Sequence, residues 1–488
     1  MIRYIRLDSV VGCPLRVPLN LSTNLTSIQL GRGNKLKHMT FDSNTRQPRS
    51  WGRYPRVEHS QVQSVYWRSE IPDLAHFEQP LLPYAYGRSY GDSCLNEGGV
   101  SLDVSHLRRF ISFDEEEGIL CCEAGVSLAE VLELVVPRGW FIPVSPGTKF
   151  VSVGGAIAND VHGKNHHRAG TFGCHVTRFE LLRSNGERFV CSPDENSELF
   201  RATIGGLGLT GIILWAEFRL QPIVNPFIDM ERIQFSSLDE FMQISAETDK
   251  QYEYSMSWVD ILIGGQALCR GIFMCGNHNR SEGRATQRVR KKLPLVVPFD
   301  FPTFVLNTFT VKTFNELYYH TQLSKRVHKV VPYEAFFYPL DSIHEWNRMY
   351  GKRGFLQYQF VVPFEDGFAA MREMLGRIRR SGEGSFLTVL KTFGDIQSPG
   401  MLSFPRPGIT LALDFAYDGK KTLQLLDDLD TIVRESGGAV YPAKDARMSA
   451  ENFQAFFPKW REFARYVDPH FSSSFWRRVS FSEKLVKV

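Results

Sequence analysis

The pattern of apolar and polar positions divides the chain into two regions that differ in the secondary structure they predict. Between Val57 and Pro222, short β-type runs alternate with glycine-rich turns, and the pattern predicts only two helices. One begins at Ser127, which forms a capping-box pattern with Glu130 ahead of an apolar helical stripe. The other runs through residues 198–202. The first region is therefore predicted to be α+β and rich in turns.

A β-hairpin is the clearest local prediction in this region. Two β-type runs, residues 179–183 and 187–191, flank Ser184-Asn185-Gly186. An Asn-Gly pair between such runs favours a tight turn, because both residues tolerate positive φ.

Beyond Pro222 longer elements replace the glycine-rich turns. The predicted strands, all of alternating polarity, are Tyr254–Val259, Phe355–Val362 and Ile409–Phe415. The predicted helices are Phe364–Arg380 and Thr422–Ser436. We expect a second domain here, and the pattern alone does not assign the tail from Tyr441 onward.

Composition and charge narrow the class of protein. The 488 residues are 43% hydrophobic and 23% charged, which is typical of a globular protein and not of collagen, coiled coil or disorder. Residues 1–50 hold eight Lys/Arg against two Asp/Glu and are expected to be a loosely ordered basic extension. The remainder is nearly neutral, which argues against a nucleic-acid-binding face.

The eight cysteines and the lengths of the apolar runs indicate the cellular compartment in which the protein is expected. The cysteines include no C-x-x-C and no metal-ligand spacing, so reduced thiols in a cytoplasmic protein are expected. No apolar run reaches the roughly 20 residues that a spanning helix needs, and the start lacks a signal-peptide pattern. Peripheral contact with a membrane stays open.

Three glycine-rich segments carry the candidate chemistry. They are residues 86–92, residues 145–156 and residues 205–211. Glycine allows backbone N–H groups to converge on an anion, so three such segments favour a pyrophosphate-bearing cofactor over tight turns alone. Gly206–Gly211 reads G-x-G-x-x-G, but a predicted helix precedes it and a predicted strand follows. That order is the reverse of a Rossmann unit, so dinucleotide binding of that type is rejected.

A histidine-rich segment follows the second glycine-rich turn. Its polar residues are His162, Lys164, His166 and His167, with His175 further on. We expect no metal, because familiar zinc spacing is missing and Lys164 would repel a cation. A polar loop that faces a cofactor is favoured, while a solvated loop remains the alternative for His166, His167 and His175.

The order of these motifs resembles the vanillyl-alcohol-oxidase-type flavoproteins, and within them the decaprenylphosphoryl-ribose oxidases. The motifs are Gly-Arg-Ser-Tyr-Gly-Asp at 87–92, Ser-Pro-Gly-Thr at 145–148, Val-Gly-Gly-Ala-Ile-Ala at 153–158, His-Gly-Lys-Asn-His-His at 162–167, Gly-Leu-Thr-Gly-Ile at 208–212 and Ala-Lys-Asp-Ala-Arg at 443–447. With further matches between residues 346 and 405, the resemblance covers about residues 57–470.

The resemblance implies an α+β fold in which a mainly antiparallel-sheet substrate domain is inserted into a bipartite FAD-binding domain. The implied divisions are the extension at 1–50, the FAD-binding domain at 51–225, the substrate domain at 226–440 and a C-terminal segment at 441–488 that returns to the flavin. The implied FAD contacts are Gly87, Arg88, Ser89, Tyr90, Gly91, Asp92, Gly147, Thr148, Ser152, Val153, Gly154, Gly155, Asn159, His162, Gly211, Ile212 and Tyr441. Many relatives attach FAD covalently to a histidine where this chain has Arg88, so FAD is expected to bind non-covalently.

The implied reaction is oxidation of a secondary hydroxyl on a furanose sugar to a ketone. Lys444, His162 and Tyr90 are the implied catalytic residues. The implied substrate contacts are Tyr333, Gln357, Gln359, Lys391 and Lys444. Gln357 and Gln359 share one face of a predicted strand, so they could instead face solvent. Thr410 and Ala412 stand where the family usually has asparagine and cysteine, which leaves the identity of the sugar open.

Three further expectations concern partners and alternatives. A polyprenyl-phosphate sugar is an implied substrate, and a short-chain reductase would complete an epimerisation in cell wall arabinan synthesis. The basic and apolar segment Arg284–Leu306 is either a membrane-contacting loop or a solvated basic turn followed by Leu293–Leu306 packed against the substrate domain. The alternatives to the main function are an alditol or aldonolactone oxidase and a flavin-free sugar-binding protein on the same fold.

Overall fold

The computed structural model describes residues 47–263, 268–281, 295–302 and 304–480. Its amino-terminal part contains a three-stranded parallel sheet of order β1-β3-β2. The strands are β1 (Gln61–Ser64), β2 (Leu81–Tyr84) and β3 (Val100–Asp103). Leu81, Val100 and Leu102 are fully buried, and they form a small core with Phe471 from the far end of the chain.

A five-stranded antiparallel sheet of order β4-β5-β9-β7-β8 follows. Its strands are β4 (Phe110–Asp114), β5 (Ile119–Glu123), β7 (Val176–Leu182), β8 (Arg188–Cys191) and β9 (Ile212–Arg219). The helices in this part are α1 (Leu128–Val135), α2 (Val153–Ala158), α3 (His166–Ala169) and α4 (Ser197–Thr203). A two-residue ladder pairs β6 (Trp140–Phe141) with β10 (Gln221–Pro222).

Local sequence signals are confirmed here. Ser127 caps α1 and exchanges hydrogen bonds with Glu130 in a complete capping box. Gly186 has φ +83° in the turn between β7 and β8, as the predicted hairpin requires. Helix α4 precedes and β9 follows the G-x-G-x-x-G run, so the order of elements excludes a Rossmann fingerprint.

The prediction of only two helices in this region is wrong. Val153-Gly154-Gly155-Ala156 is the first turn of α2, whose N-cap is Ser152 with its hydroxyl accepting from Gly155 N–H at 3.0 Å. The two glycines disfavour a helix in isolation. At Gly154 a Cβ would lie 2.9 Å from the Ala124 Cβ, so close packing against the neighbouring chain explains the glycine there.

An eight-stranded antiparallel sheet, of order β15-β11-β13-β12-β18-β19-β17-β20, dominates the second half. Its strands are β11 (Phe227–Phe235), β12 (Tyr254–Asp260), β13 (Arg270–His278), β15 (Arg326–Pro332), β17 (Phe355–Val362), β18 (Thr388–Phe393), β19 (Gly408–Ala416) and β20 (Ala439–Val440). The helices between them are α5 (Leu238–Thr248), α6 (Thr308–His320), α7 (Tyr333–Phe337), α8 (Phe364–Ser381) and α9 (Lys420–Glu435). Strand β14 (Leu295–Val296) pairs in parallel with β16 (Ile343–His344).

The predicted strands and helices of this half are confirmed, but the expected alternation of exposure in β17 is wrong. All eight residues of β17 are buried. The strand lies inside the sheet, with α8 and α9 packed on it, and Gln357 and Gln359 face an enclosed cavity that is described below. Gln357 and Gln359 are therefore buried side chains, not solvent-facing ones.

The C-terminal segment returns to the first residues of the fold. It contains α10 (Ala450–Phe456), α11 (Trp460–Ala464) and α12 (Ser474–Ser480). Phe471 forms a β-bridge with Leu81. Arg478 on α12 pairs with Asp92 at 2.6 Å and with Asp445 at 3.0 Å.

Several expectations concern termini, thiols and membranes. Most of the basic extension and the run Arg284–Lys292 lie outside the described residues. The seven cysteines between Cys94 and Cys275 are free thiols. Within the described ranges, no helix combines the length and apolar character needed to cross a bilayer.

Candidate active site

A cavity of about 620 Å³ opens where the glycine-rich turns face the eight-stranded sheet. One wall comes from the loop after β2, from α2 and from the start of β9. The other comes from β17, β18 and β19 and from the chain after β20. A cavity of this size between two layers of the fold is typical of a site for a cofactor and a small substrate.

Most of the residues predicted to form the site line this cavity. They are Gly87, Arg88, Ser89, Tyr90, Gly147, Thr148, Ser152, Gly154, Gly155, Asn159, His162, Gly211, Ile212, Gln357, Gln359, Lys391, Tyr441 and Lys444. The structure thus brings together groups that lie more than 350 residues apart in the sequence.

Four predicted residues do not line the cavity. Asp92 is buried in its ion pair with Arg478. Gly91 lies against the backbone of Asp445, whose carbonyl oxygen would be 1.5 Å from a Cβ at position 91. Val153 is fully buried in the core. These three residues position the turns and do not face the cavity.

Tyr333 is the fourth of these residues. It is 7% exposed and packs edge-to-face on Phe141 at 5.4 Å and on Tyr338 at 6.4 Å. Since its ring belongs to an aromatic cluster behind the wall, it is left out of the substrate contacts proposed below.

The glycine-rich turns present free hydrogen-bond donors. The backbone N–H groups of Arg88, Ser89, Gly147 and Thr148 make no hydrogen bond to any residue within the described ranges. Gly147 lies on the cavity wall, and a Cβ there would meet no atom within 4 Å. Unpaired N–H groups from two turns on the wall of one cavity suit a pyrophosphate, so these turns fit the predicted cofactor.

Arg88 adds a cation to this wall. Its guanidinium lies 4.3 Å from the centre of the Trp51 ring and 5.6 Å from that of Phe150. Its buried Nε has no hydrogen-bond partner in the described part of the chain. Burial lowers the pKa of Arg88, but the group stays charged at any physiological pH. A buried cation with a free donor favours an anionic ligand.

Three lysines approach the cavity from the other side. Lys391 donates to the Gly163 carbonyl at 2.7 Å, and Lys164 donates to the Phe336 carbonyl at 2.6 Å. The Lys444 ammonium lies 3.8 Å from the centre of the Tyr90 ring. Burial lowers the pKa of each of the three lysines to about 7. Each can therefore carry or release a proton near neutral pH.

Asp414 is the acidic partner of this cluster. It is 1% exposed and accepts from Gln357 Nε2 at 2.6 Å and from the Tyr350 hydroxyl at 3.3 Å. Burial raises the pKa of Asp414 to about 7, while the charge of Lys444 opposes this rise. Lys444 and Asp414 thus titrate in the same range.

His162 is held by a chain of polar side chains. Gln359 Nε2 donates to His162 Nε2 at 2.9 Å and approaches Thr410 Oγ1 at 3.4 Å, and Thr410 donates to the Phe360 carbonyl at 2.7 Å. Burial, with the charges of nearby lysines, holds the pKa of His162 well below its usual value. A neutral imidazole therefore faces the cavity.

The neighbouring histidines have structural roles. His166 is 1% exposed, so a solvated position is wrong for it, and burial lowers its pKa to about 3. The rings of His167 and His175 hydrogen bond to the carbonyls of Tyr252 and Ala169. In the ranges that the structure covers, no three His, Cys, Asp or Glu side chains group as metal ligands.

The sequence prediction did not include Asp414, Trp51 or Phe150. The sequence does mark Asp414 as a candidate, because it is the one charged residue in the apolar run of β19 and a buried charge is uncommon. It lies opposite Gln357 in the β17–β19 register. Trp51 and Phe150 carry no such signal, since only the tertiary fold brings them to Arg88.

Comparison with known proteins places these observations in a family context. The model of the FAD binding domain matches residues 69–192. The chain is 37% identical over 457 residues to decaprenylphosphoryl-β-D-ribose oxidase of Mycolicibacterium smegmatis, which covers 90% of this chain and 98% of that protein. It is 33% identical to an uncharacterised protein of Streptomyces coelicolor, over 72% of this chain and all of that one. A provisionally named D-arabinono-1,4-lactone oxidase of Neurospora crassa is 30% identical over 33% of this chain and 29% of its own length.

Proposed function

The chain belongs to the FAD-binding oxidoreductase family of decaprenylphosphoryl-β-D-ribose oxidase, and from that premise we propose which alcohol it oxidises. The proposed substrate is a furanose sugar that carries a phosphoryl or lipid-phosphoryl group. A secondary hydroxyl of this sugar becomes a ketone.

The lysine cluster is the observation that carries this proposal. Lys164, Lys391 and Lys444 line one cavity together with Arg88. The carboxylates of the lining are Asp341 and Glu345, whose charges act on Arg88, while Asp414 is buried next to Lys444. An excess of cations in a poorly solvated site favours an anionic ligand. A neutral alditol would leave that charge uncompensated, so a phosphoryl sugar fits the cavity better.

Lys444 is the proposed proton acceptor. Bound FAD supplies a two-electron acceptor for the carbon of the alcohol. The hydroxyl must lose its proton in the same reaction, and a base with a pKa near the working pH serves best. The Lys444 amine, with its pKa lowered to about 7 by burial, meets this requirement. The Tyr90 ring lies against its ammonium, and Phe355 packs edge-to-face on that ring.

Gln357, Gln359 and His162 are the proposed orienting groups. Gln357 is fixed by Asp414, and Gln359 is fixed between His162 and Thr410. Amide groups held in this way present a defined donor and acceptor pattern to the sugar hydroxyls. Thr410 and Ala412 on β19 also line the cavity and set its shape beside these groups. The sugar that fits is therefore expected to depend on both residues.

The domain organisation is part of the same proposal. The strands of the eight-stranded sheet come from residues 227–440, which agrees with a substrate domain at 226–440 inserted after an FAD-binding domain at 51–225. Residues after 440 contribute Tyr441 and Lys444 to the cavity. This arrangement supports a bipartite FAD-binding part. The ketone product would be reduced by a short-chain reductase to complete a 2′-epimerisation.

Anaerobic mixing tests the function. The holoenzyme is mixed with a lipid-phosphoryl ribofuranose or arabinofuranose, and the flavin absorbance band is followed. The matched control is the same sugar without its phosphoryl group. We expect rapid bleaching with the first ligand and at least about a hundredfold slower bleaching with the second, because a desolvated ion pair contributes several kcal/mol.

Two other outcomes of this experiment would favour the alternative functions. Equal bleaching by free alditols or aldonolactones would favour an oxidase of those compounds. Protein that is colourless and stays so after reconstitution with FAD would favour the flavin-free sugar-binding alternative.

A further inference from the structure

Exposed apolar side chains are concentrated in one stretch of the chain. The described residues expose 14 large hydrophobic side chains, and nine of them lie within residues 295–330. Six between Leu295 and Leu317 are more than half exposed, and we call them the apolar patch. They are Leu295, Val296, Phe299, Phe304, Phe309 and Leu317. Scattered apolar residues are ordinary on a surface, but such a concentration marks a contact with an apolar partner.

The backbone beneath the patch is held in place by hydrogen bonds. Asn307 caps α6 and also donates to the Phe304 carbonyl at 2.8 Å. The Phe301 N–H donates to the Arg348 carbonyl at 2.9 Å. Val297 is buried, and Leu306 packs on the aromatic cluster around Trp346. Part of the segment thus packs inward as one sequence interpretation expects, while the patch side chains point outward from a fixed base.

The patch begins at the mouth of the cavity. Val296 lines the cavity and is also 56% exposed. Its partner in the β14–β16 ladder, His344, lines the cavity as well. Val296 thus belongs both to the cavity lining and to the apolar patch.

Exposed cations lie on α6 and on the chain segments next to Asp300. Residues 295–317 contain two carboxylates, and both are paired: Asp300 with Arg53 at 2.5 Å, and Glu316 with Arg270. Arg56, Lys312 and Lys352 are exposed and have no acidic partner among the residues that the structure covers. These exposed cations are therefore complementary to an anionic surface.

We propose that the apolar patch rests on an anionic membrane, with the cavity mouth towards the lipid. Phenylalanine and leucine side chains enter the boundary between headgroups and acyl chains, while the exposed cations contact anionic headgroups. The proposal builds on the proposed function in one respect: a lipid-phosphoryl sugar would reach the cavity from this surface while its tail stays in the bilayer.

Vesicle flotation of the holoenzyme without substrate tests the contact. The vesicles contain phosphatidylglycerol with phosphatidylethanolamine, or phosphatidylcholine alone. The test variant is Phe304→Ser with Phe309→Ser. The matched control is Ile111→Ser with Phe364→Ser, which removes two exposed apolar side chains outside residues 295–330. We expect wild type to float with the anionic vesicles and less at high salt. The test variant should lose about tenfold in binding, and the control should not change.

Flavin absorbance and thermal melting establish that each variant is folded. Wild type that does not float, or a test variant that floats like wild type, would overturn the proposal. A wild-type dimer that the test variant converts to a monomer, without vesicle binding, would assign the patch to a second copy of the chain. Because flotation uses no substrate, a failed oxidation assay with normal flotation would count against the proposed function alone.

Discussion

At the scale of single residues, the site is built from groups whose charge is set by burial. Lys164, Lys391 and Lys444 would all be protonated in water, yet burial brings their pKa values to about 7. Burial raises the pKa of Asp414 to about 7, so this carboxyl group titrates in the same range as the lysines. A site of this kind changes its total charge over a narrow interval of pH, so both binding and proton transfer should depend on pH near neutrality.

Lys444 is expected to be the side chain most critical for turnover. Lys444→Ala should keep FAD and reduce the rate of flavin reduction by substrate by about 10²–10⁴-fold, because a proton acceptor is lost. In wild type this rate should rise with pH up to about 7 and then level off, since the neutral amine is the base. Stopped-flow absorbance measures both effects.

The exposed residue Lys329 provides the control for Lys444. Lys329→Ala should keep the wild-type rate and pH profile. If Lys444→Ala reduces its flavin at a near wild-type rate, the assigned role is wrong, and His162 becomes the next candidate.

Arg88 predicts how FAD is attached. Its side chain cannot form the covalent bond that a histidine forms at this position in many relatives, and it lies between Trp51 and Phe150 on the cavity wall. Acid precipitation of the holoenzyme should therefore release all the yellow colour into the supernatant. A yellow pellet after washing would contradict non-covalent binding.

At the scale of elements, the sequence predicts those helix caps, turns and strand bounds that depend on a few neighbouring residues. The capping box of α1, the hairpin at Asn185-Gly186 and the bounds of β17 follow from a few neighbouring residues. Helix α2 was missed because its glycines disfavour a helix until packing on Ala124 requires them. Asp414 was missed for a related reason. Its partner Gln357 is fixed by strand register, and register depends on contacts distant in sequence.

The capping box of α1 allows a quantitative test. Ser127→Ala removes a hydrogen bond to the Glu130 N–H and one between the two side chains. We expect a loss of about 1 kcal/mol in the free energy of unfolding, with flavin content unchanged. Denaturant unfolding of Ser127→Ala, Glu130→Ala and the double variant gives the coupling free energy between the two side chains. Strictly additive losses would mean that the two residues do not act as a capping box.

At the scale of the whole molecule, the last helix of the described chain returns to residues beside the cavity. Arg478 on α12 pairs with Asp92, next to the first glycine-rich turn, and with Asp445, next to Lys444. The two carboxylates are 4% and 2% exposed. One cation thus connects the cofactor side of the cavity with the proposed base.

Removal of that cation should be costly. Arg478→Met leaves two buried carboxylates without a counter-charge, and we expect a loss of about 3–5 kcal/mol in the free energy of unfolding. Thermal melting of the apoprotein measures it. Arg465→Met, at an exposed arginine, should change the melting temperature little. Equal effects of the two variants would show that the buried ion cluster contributes no specific stability.

The contact between Asp92 and Arg478 also has a consequence for synthesis. These residues are 386 positions apart, so translation at about 5–20 residues per second separates their emergence by roughly 20–80 s. During that interval a nascent chain on the ribosome has glycine-rich turns but no α12 to hold them, and it lacks Tyr441 and Lys444. We therefore expect FAD to bind after translation is complete, so that a prematurely terminated chain leaves the ribosome colourless.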